Sequence, residues 1–334
     1  MSDQRYSFPV PFGWYGVGFT DDLAIGDVKP LKYFGQDIVL YRGDDGVAHV
    51  SEAFCPHLGA HLGHGGEVVG DNIRCPFHHW QFDGDGKVDS IPYAKNIPPK
   101  AAGQQCLFQY PVIEANRVIW VWYHPDRVEP LFDVARLPEL EAHGEDWSEF
   151  KRFNWTINTT VQETAENAAD TAHFIYVHNS DEMPQGEVTL DGHRRSARFD
   201  MRTQVVDEQG NVNRDEYIDS VLETSNCGPG QTWQTFNGLF YTLMVGLITP
   251  IDSQTMSMTF AFTQRKGQRD DQIMMADGLM DKIASDVEDD IPIWEHKIYQ
   301  ADPILCDGDG PIAQYRKWFK QFYADSDKIK IVAG

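Results

Sequence analysis

Cys55-Pro56-His57-Leu58-Gly59-Ala60 and Cys75-Pro76-Phe77-His78 are the stretches on which the reading of this chain turns. In each, a His follows closely on its Cys. Two such loops suit a cluster with one sulfur-ligated iron and one nitrogen-ligated iron, as in a Rieske [2Fe–2S] centre, where two His replace two Cys on one iron. The same four donors would also suit tetrahedral zinc. Common zinc fingers, however, group two Cys first and two His later, and the order here alternates. Cys55, His57, Cys75 and His78 are therefore the candidate cluster ligands.

Around these loops the first third of the chain reads as short strands. Asp37–Tyr41, Val47–Val50, Ile73–Arg74 and Trp80–Phe82 are bounded by Gly, Asp or Pro, and Gly43–Gly46 and Asp83–Gly86 are turns of hairpin type. Arg117–Tyr123, rich in β-branched and aromatic residues, is the strongest strand, and His124-Pro125-Asp126 ends it. This places a boundary near residue 125, with a Rieske domain over 12–125 and a second domain over 126–334. The second domain opens with a predicted helix from about Thr159 to Ala172. Alternating and apolar runs over 194–265 follow, of which Leu239–Thr249 is the most apolar. Helical segments over Asp271–Tyr299 and Ile312–Tyr323 complete it. The order predicts an α+β fold: an all-β domain, then a large antiparallel sheet with helices.

The totals exclude several classes. A chain of 334 residues with 41% hydrophobic content can bury a sizeable core. A formal charge of −23 argues against nonspecific nucleic-acid binding, which needs clustered Lys and Arg. Five Cys, two of them in the motif, make no disulfide framework. With no apolar run fit for a signal peptide or a membrane span, a cytoplasmic location is expected.

A second metal site is written further on. Asn167, Asp170 and His173 are spaced by three, which puts them on one face of a continuous helix. His178 lies five beyond His173, so the helix must end or deform if both are to meet one metal. Two His and a carboxylate form the facial triad of non-heme Fe(II) oxygenases. The carboxylate is sought in Asp286–Glu295, where Ile283, Val287, Ile291, Trp294 and Ile298 form a helical stripe. At about 100° per residue, Asp290 lies about 60° from the stripe centre, Glu295 about 80° and Asp289 about 160°. Asp290 is the expected third ligand, with Glu295 its rival and Pro292 a local distortion.

With both motifs on the page, the chain resembles the oxygenase component of Rieske non-heme iron oxygenases, and its steroid branch in particular. The string Ala165–Phe174 resembles both 3-ketosteroid 9α-hydroxylase oxygenases and cholesterol 7-desaturases. Phe174–His178 and Ile293–Lys297 resemble the former; Cys55–Ala60 and Ile91–Ala94 resemble the latter. His79 departs from these relatives, which often carry Gly or Asp there.

The resemblance implies a catalytic domain of helix-grip type and a head-to-tail homotrimer. Cys55 and Cys75 would hold one cluster iron and His57 and His78 the other. His173, His178 and Asp290 would hold a mononuclear Fe(II). The resemblance also implies that Asp170 joins His173 to His78 of a neighbouring subunit. An NAD(P)H-dependent reductase or ferredoxin would supply electrons, O2 the oxidant, and an apolar, steroid-like molecule the substrate for hydroxylation. Sterol desaturation and aromatic O- or N-demethylation are alternative outcomes on the same metals. A Rieske electron carrier would need only the first domain, and a zinc-stabilised module would be colourless.

Overall fold

The computed structural model describes residues 5–179, 186–206 and 212–324. Residues 325–334 of the second expected domain lie outside the described residues. Eleven strands precede residue 124 among the described residues, in three sheets. Gln36–Arg42 and Ala48–Glu52 pair antiparallel across the Gly43–Gly46 turn, as its Gly and Asp residues predict. Glu67–Val69, Asn72–Arg74, Gln81–Phe82 and Val88–Ser90 form the small sheet that carries the second Cys–His loop.

The strand pair Gly13–Phe19 and Val118–Tyr123 explains why the strongest apolar run is unbroken. Successive strand residues point to opposite faces. Val118, Trp120 and Trp122 enter the large core shared with the following sheet. Ile119, Val121 and Tyr123 pack instead with Tyr15, Val17, Ile38 and Leu40. The pair is thus a seam with a core on each side. At Gly16 the contact is so close that a Cβ would lie 2.4 Å from Leu247 Cγ.

The second half is built on a seven-stranded antiparallel sheet. Lys151–Ile157 lies at one edge and Glu187–Asp191 at the other. Thr242–Pro250, from the apolar 239–249 run, is buried along its whole length, and its faces divide as alternation requires. Leu243 enters the large core, while Met244 meets Phe262 and Met280. The helices are α1 (Pro138–Glu141), α2 (Val161–Glu166), α3 (His173–Tyr176), α4 (Asp270–His296) and α5 (Ile312–Phe319). This is the α+β fold that the order of elements predicts.

Two expectations need correction. The helix from Thr159 to Ala172 is not continuous. It runs as α2, tightens into a 3₁₀ turn over Asn167–Ala169, and stops at Asp170, whose backbone is extended (φ −85°, ψ 92°). Asp170 and His173 therefore do not share one helix face. The inward stripe of α4 also differs from the apolar stripe of the sequence. Its buried residues are Ala276, Met280, Ala284, Val287, Asp290 and Trp294, whereas Ile298 lies beyond the helix and is exposed. Asp290 sits within that row rather than at its margin, and Pro292 is accommodated inside α4.

Candidate metal centres

The two Cys–His loops have one geometry. Cys55 N donates to Ala60 O at 2.8 Å and Gly59 N to Cys55 O at 2.9 Å; Cys75 N donates to Trp80 O at 2.8 Å and His79 N to Cys75 O at 3.1 Å. Each turn needs a left-handed residue four after its Cys, filled by Gly59 (φ 77°) in one loop and His79 (φ 57°) in the other. Gly adopts that conformation freely, while other residues meet a cost of about 1–2 kcal/mol. His79 itself is exposed.

Within the turns, Cys55 and Cys75 are buried and the His57 and His78 rings face each other, centroids 4.8 Å apart. Burial pushes the Cys55 thiol up to about 12, and neighbouring Cys75 adds to the rise, while the amides of His57 and Leu58 donate toward the sulfur and oppose it. His78 Nδ1 is buried without a hydrogen-bond partner among the described residues. Two converging thiols, amides aimed at sulfur and a buried imidazole nitrogen without a partner fit an iron–sulfur cluster. His57 stacks on Trp80 at 4.6 Å, and the Trp80 indole N–H donates to Tyr93 Oη at 2.8 Å.

The second centre is assembled where α2 breaks. α2 is buried although its sequence is polar. Glu166 takes a two-pronged ion pair from Arg316, at 2.6 and 2.7 Å. Gln162 Oε1 accepts from Tyr323 Oη at 2.8 Å, and Glu163 pairs with Lys297 at 2.7 Å. Arg195, itself buried, donates to Ala168 O at 3.0 Å. These contacts anchor the turn that presents Asn167, Asp170 and His173. Because α3 ends at Tyr176, His178 can turn back toward His173, with ring centroids 5.0 Å apart.

His173, His178 and Asp290 each offer one ligand atom, and the three lie within 4.8 Å of one another. His173 Nδ1 donates to the carbonyl oxygen of Asp170, which leaves the Nε2 lone pair facing inward. Asn167 Nδ2 occupies the space on which the ligand atoms converge, donating to His173 Nε2 at 3.0 Å and to Asp290 Oδ2 at 2.8 Å. Burial pushes the Asp290 carboxyl up to about 7; Asn167 works against the rise, and Asp286, Asp289 and Asp170 add to it. Burial lowers the His178 pKa against the pull of Asp286, which favours the neutral, ligating imidazole. Two imidazoles and a carboxylate crowded by other acids fit a divalent cation with open positions. Glu295 is not part of this set, since it accepts from Asn158 N and Nδ2 at 3.1 and 2.9 Å.

Asp286 and Lys282 were not singled out in the sequence reading, although their i, i+4 spacing from Asp290 and from each other places them on its face of α4. A cavity elsewhere is lined by charged groups such as Arg136, Glu187, Arg194 and Glu223, and by none of His173, His178 and Asp290.

Such a pair of centres, a Cys₂His₂ cluster cradle and a separate two-His, one-carboxylate pocket, defines an iron-dependent oxidoreductase with an electron-transfer station and an oxygen-activating one. Residues 13–111 match the Rieske [2Fe-2S] domain family, and residues 121–323 match the 3-ketosteroid 9alpha-hydroxylase C-terminal domain family. The chain therefore belongs to the Rieske non-heme iron oxygenases of that family: a Rieske-type monooxygenase carrying a [2Fe–2S] cluster and mononuclear non-heme iron. It is 30% identical to a 3-ketosteroid-9-alpha-monooxygenase oxygenase component of Rhodococcus rhodochrous, spanning 95% of this chain and 85% of that protein. It is 29% identical to a cholesterol 7-desaturase of Xenopus laevis, across 95% of this chain and 72% of that protein. Among solved structures, apo dicamba monooxygenase superposes with a TM-score of 0.67 at 17% identity, covering 95% of this chain and 98% of the other. Pseudomonas putida CBB5 NdmA with caffeine gives 0.70 at 19%, covering 92% and 89%. No described helix is long and apolar enough to cross a membrane.

Proposed function

We propose that this chain is the terminal oxygenase of a cytoplasmic multicomponent system that hydroxylates a steroid-like apolar substrate, with electrons from an NAD(P)H-dependent reductase or ferredoxin. The observation that carries this reading is the coexistence of both metal cradles in a chain that aligns along 95% of its length with steroid monooxygenase components. The Rieske unit is assigned to 12–125 and the catalytic unit to 126–334, with the seam strands belonging to both cores. Cys55, His57, Cys75 and His78 would hold the cluster, and His173, His178 and Asp290 the mononuclear iron. When bound, these groups pass single electrons and activate O2 toward a C–H bond.

The protein's own residues prepare that chemistry. Asp170 holds the His173 ring through its carbonyl oxygen, while its carboxylate meets His173 N at 3.4 Å. That contact uses Oδ1, and Asp170 is proposed as the bridge between subunits, its other carboxylate oxygen reaching His78 of a second copy. A head-to-tail homotrimer is supported by apolar exposure around the cluster loops: Leu58 is 64% exposed, and Phe77 and Tyr93 are each 61% exposed beside His57 and His78.

Desaturation is a second reading, favoured by the similarity to the cholesterol 7-desaturase. Turnover of a steroid panel with a promiscuous reductase and NADH, read by mass spectrometry, separates the two: hydroxylation adds one oxygen, desaturation removes two hydrogens. Methoxy-aromatic substrates are the control, and turnover of these alone refutes a steroid role. In Asp170→Asn both metals should remain bound while product formation collapses; normal turnover would remove the bridging role.

A further inference from the structure

His178 presents both ring nitrogens to one helix. Its Nε2 lies 3.4 Å from Asp290 Oδ2 and its Nδ1 3.5 Å from Asp286 Oδ1. Asp286 and Asp290 are four residues apart on α4, so their carboxylates stand one above the other, about 6 Å apart along the axis. The imidazole is wedged between them. Nδ1 is buried and has no hydrogen-bond partner among the described residues. Leaving a buried donor unmade costs roughly 1–3 kcal/mol, and the carboxylate facing Nδ1 belongs to Asp286. One turn earlier, Lys282 pairs with Asp286 in its turn.

A second donor set, His178, Asp286 and Asp289, is also close enough to hold an ion. Asp289, however, is exposed, and metal on Nδ1 would leave the proton on Nε2, the nitrogen that faces Asp290. The inner set is the better enclosed, because His178 and Asp290 are both buried.

We propose that Asp286 is a positioning residue for the mononuclear iron site. It accepts the His178 Nδ1–H, fixes the tautomer, and leaves the Nε2 lone pair directed toward His173 and Asp290. Lys282 holds the Asp286 carboxylate in place. The inference rests on the iron ligand set proposed above and adds a residue behind it. A carboxylate behind a metal-binding His is typically worth about 10–100-fold in metal affinity.

The test uses cluster-loaded protein stripped of mononuclear iron by a chelator and titrated anaerobically with Fe(II) against a competing chelator. Cluster absorbance reports that each variant is folded. Asp286→Ala should weaken Fe(II) binding about 10–100-fold. Asp286→Asn, which keeps an acceptor oxygen, should recover most of that loss, and Asp289→Ala should bind as the unmodified protein does. If Asp286→Ala loses its cluster, Lys282→Met at the exposed end of the relay should still weaken binding several-fold. Unchanged affinity in Asp286→Ala, or in Lys282→Met where that variant is needed, overturns the proposal. So does no recovery in Asp286→Asn, or a loss in Asp289→Ala equal to that in Asp286→Ala, which would place the ion on the outer set. If the unmodified protein takes up no third iron, the ligand set itself fails, a result distinct from failure of Asp286 alone.

Discussion

Replacing Asp290 by Asn in protein stripped of mononuclear iron should make it more stable at pH 8, against the usual effect of altering a buried site. Burial, with Asp286, Asp289 and Asp170 nearby, lifts this carboxyl from 3.8 to about 7. An acid whose folded pKa is raised binds its proton more tightly when folded. Its ionisation therefore costs stability progressively as pH rises from about 4 to 7, and the full cost is present above that. About three pKa units at roughly 1.4 kcal/mol each set a ceiling near 4 kcal/mol. The pocket is only partly closed, since His173 is half-buried, and water screening reduces the figure to about 2 kcal/mol. Asn keeps the shape and an acceptor for Asn167 but carries no charge. Metal-free Asp290→Asn should thus gain about 2 kcal/mol at pH 8, with less than half of that gain left at pH 5. Urea denaturation followed by far-ultraviolet circular dichroism at the two pH values measures it, with cluster absorbance as a separate probe. Fe(II) should raise the midpoint of the unmodified protein and scarcely that of the variant, because a ligand stabilises only the state that binds it. A variant less stable than its parent at pH 8 without metal would refute the reasoning.

Two further outcomes probe the scaffold. Arg316→Met should cost about 3–5 kcal/mol in denaturation midpoint analysis, because it strands the buried Glu166 carboxylate, and adding Glu166→Gln should recover most of the loss. Gly16→Ala should cost about 1–3 kcal/mol through the Leu247 contact across the seam, with Leu247→Ala as a partial second-site rescue; undiminished stability would show that the two cores are not tightly joined there.

The candidate metal sites were more legible in the sequence than the backbone that presents them. Cys and His at close spacing have few other reasons to pair, so the cluster loops stood out without any knowledge of their shape. Their shared turn did not, because its key residue is Gly in one loop and His in the other. The seam strand was legible as a strand, but its unbroken apolar character has its reason only in a second core on its far face. The break at Asp170 left no mark in Ala165–Phe174, which contains no Gly or Pro. It is stabilised from outside, by Arg195 on Ala168 O and by the Gly310 segment, where a Cβ would meet Ala169 O at 2.6 Å.

Helical periodicity identifies an inward face only when the inside is apolar. Around the proposed iron pocket the inside is charged. α2 buries Gln162, Glu163 and Glu166, each held by a partner more than 130 residues away in sequence. α4 buries Asp290 in line with Val287 and Trp294. An apolar stripe drawn through α4 therefore comes out rotated, and its most polar inward member looks marginal. Asp290 could still be singled out because a two-His site demands a carboxylate and the geometry left few candidates. The anchors of α2 had no comparable chemical demand to betray them. A polar helix beside a metal motif can be read as buried when it carries acids without a solvated apolar counterface, and α2 meets that description. The same reasoning makes Arg316 and Lys297 as necessary to the placement of His173 as the residues that touch it, because they neutralise the acids that fix the turn.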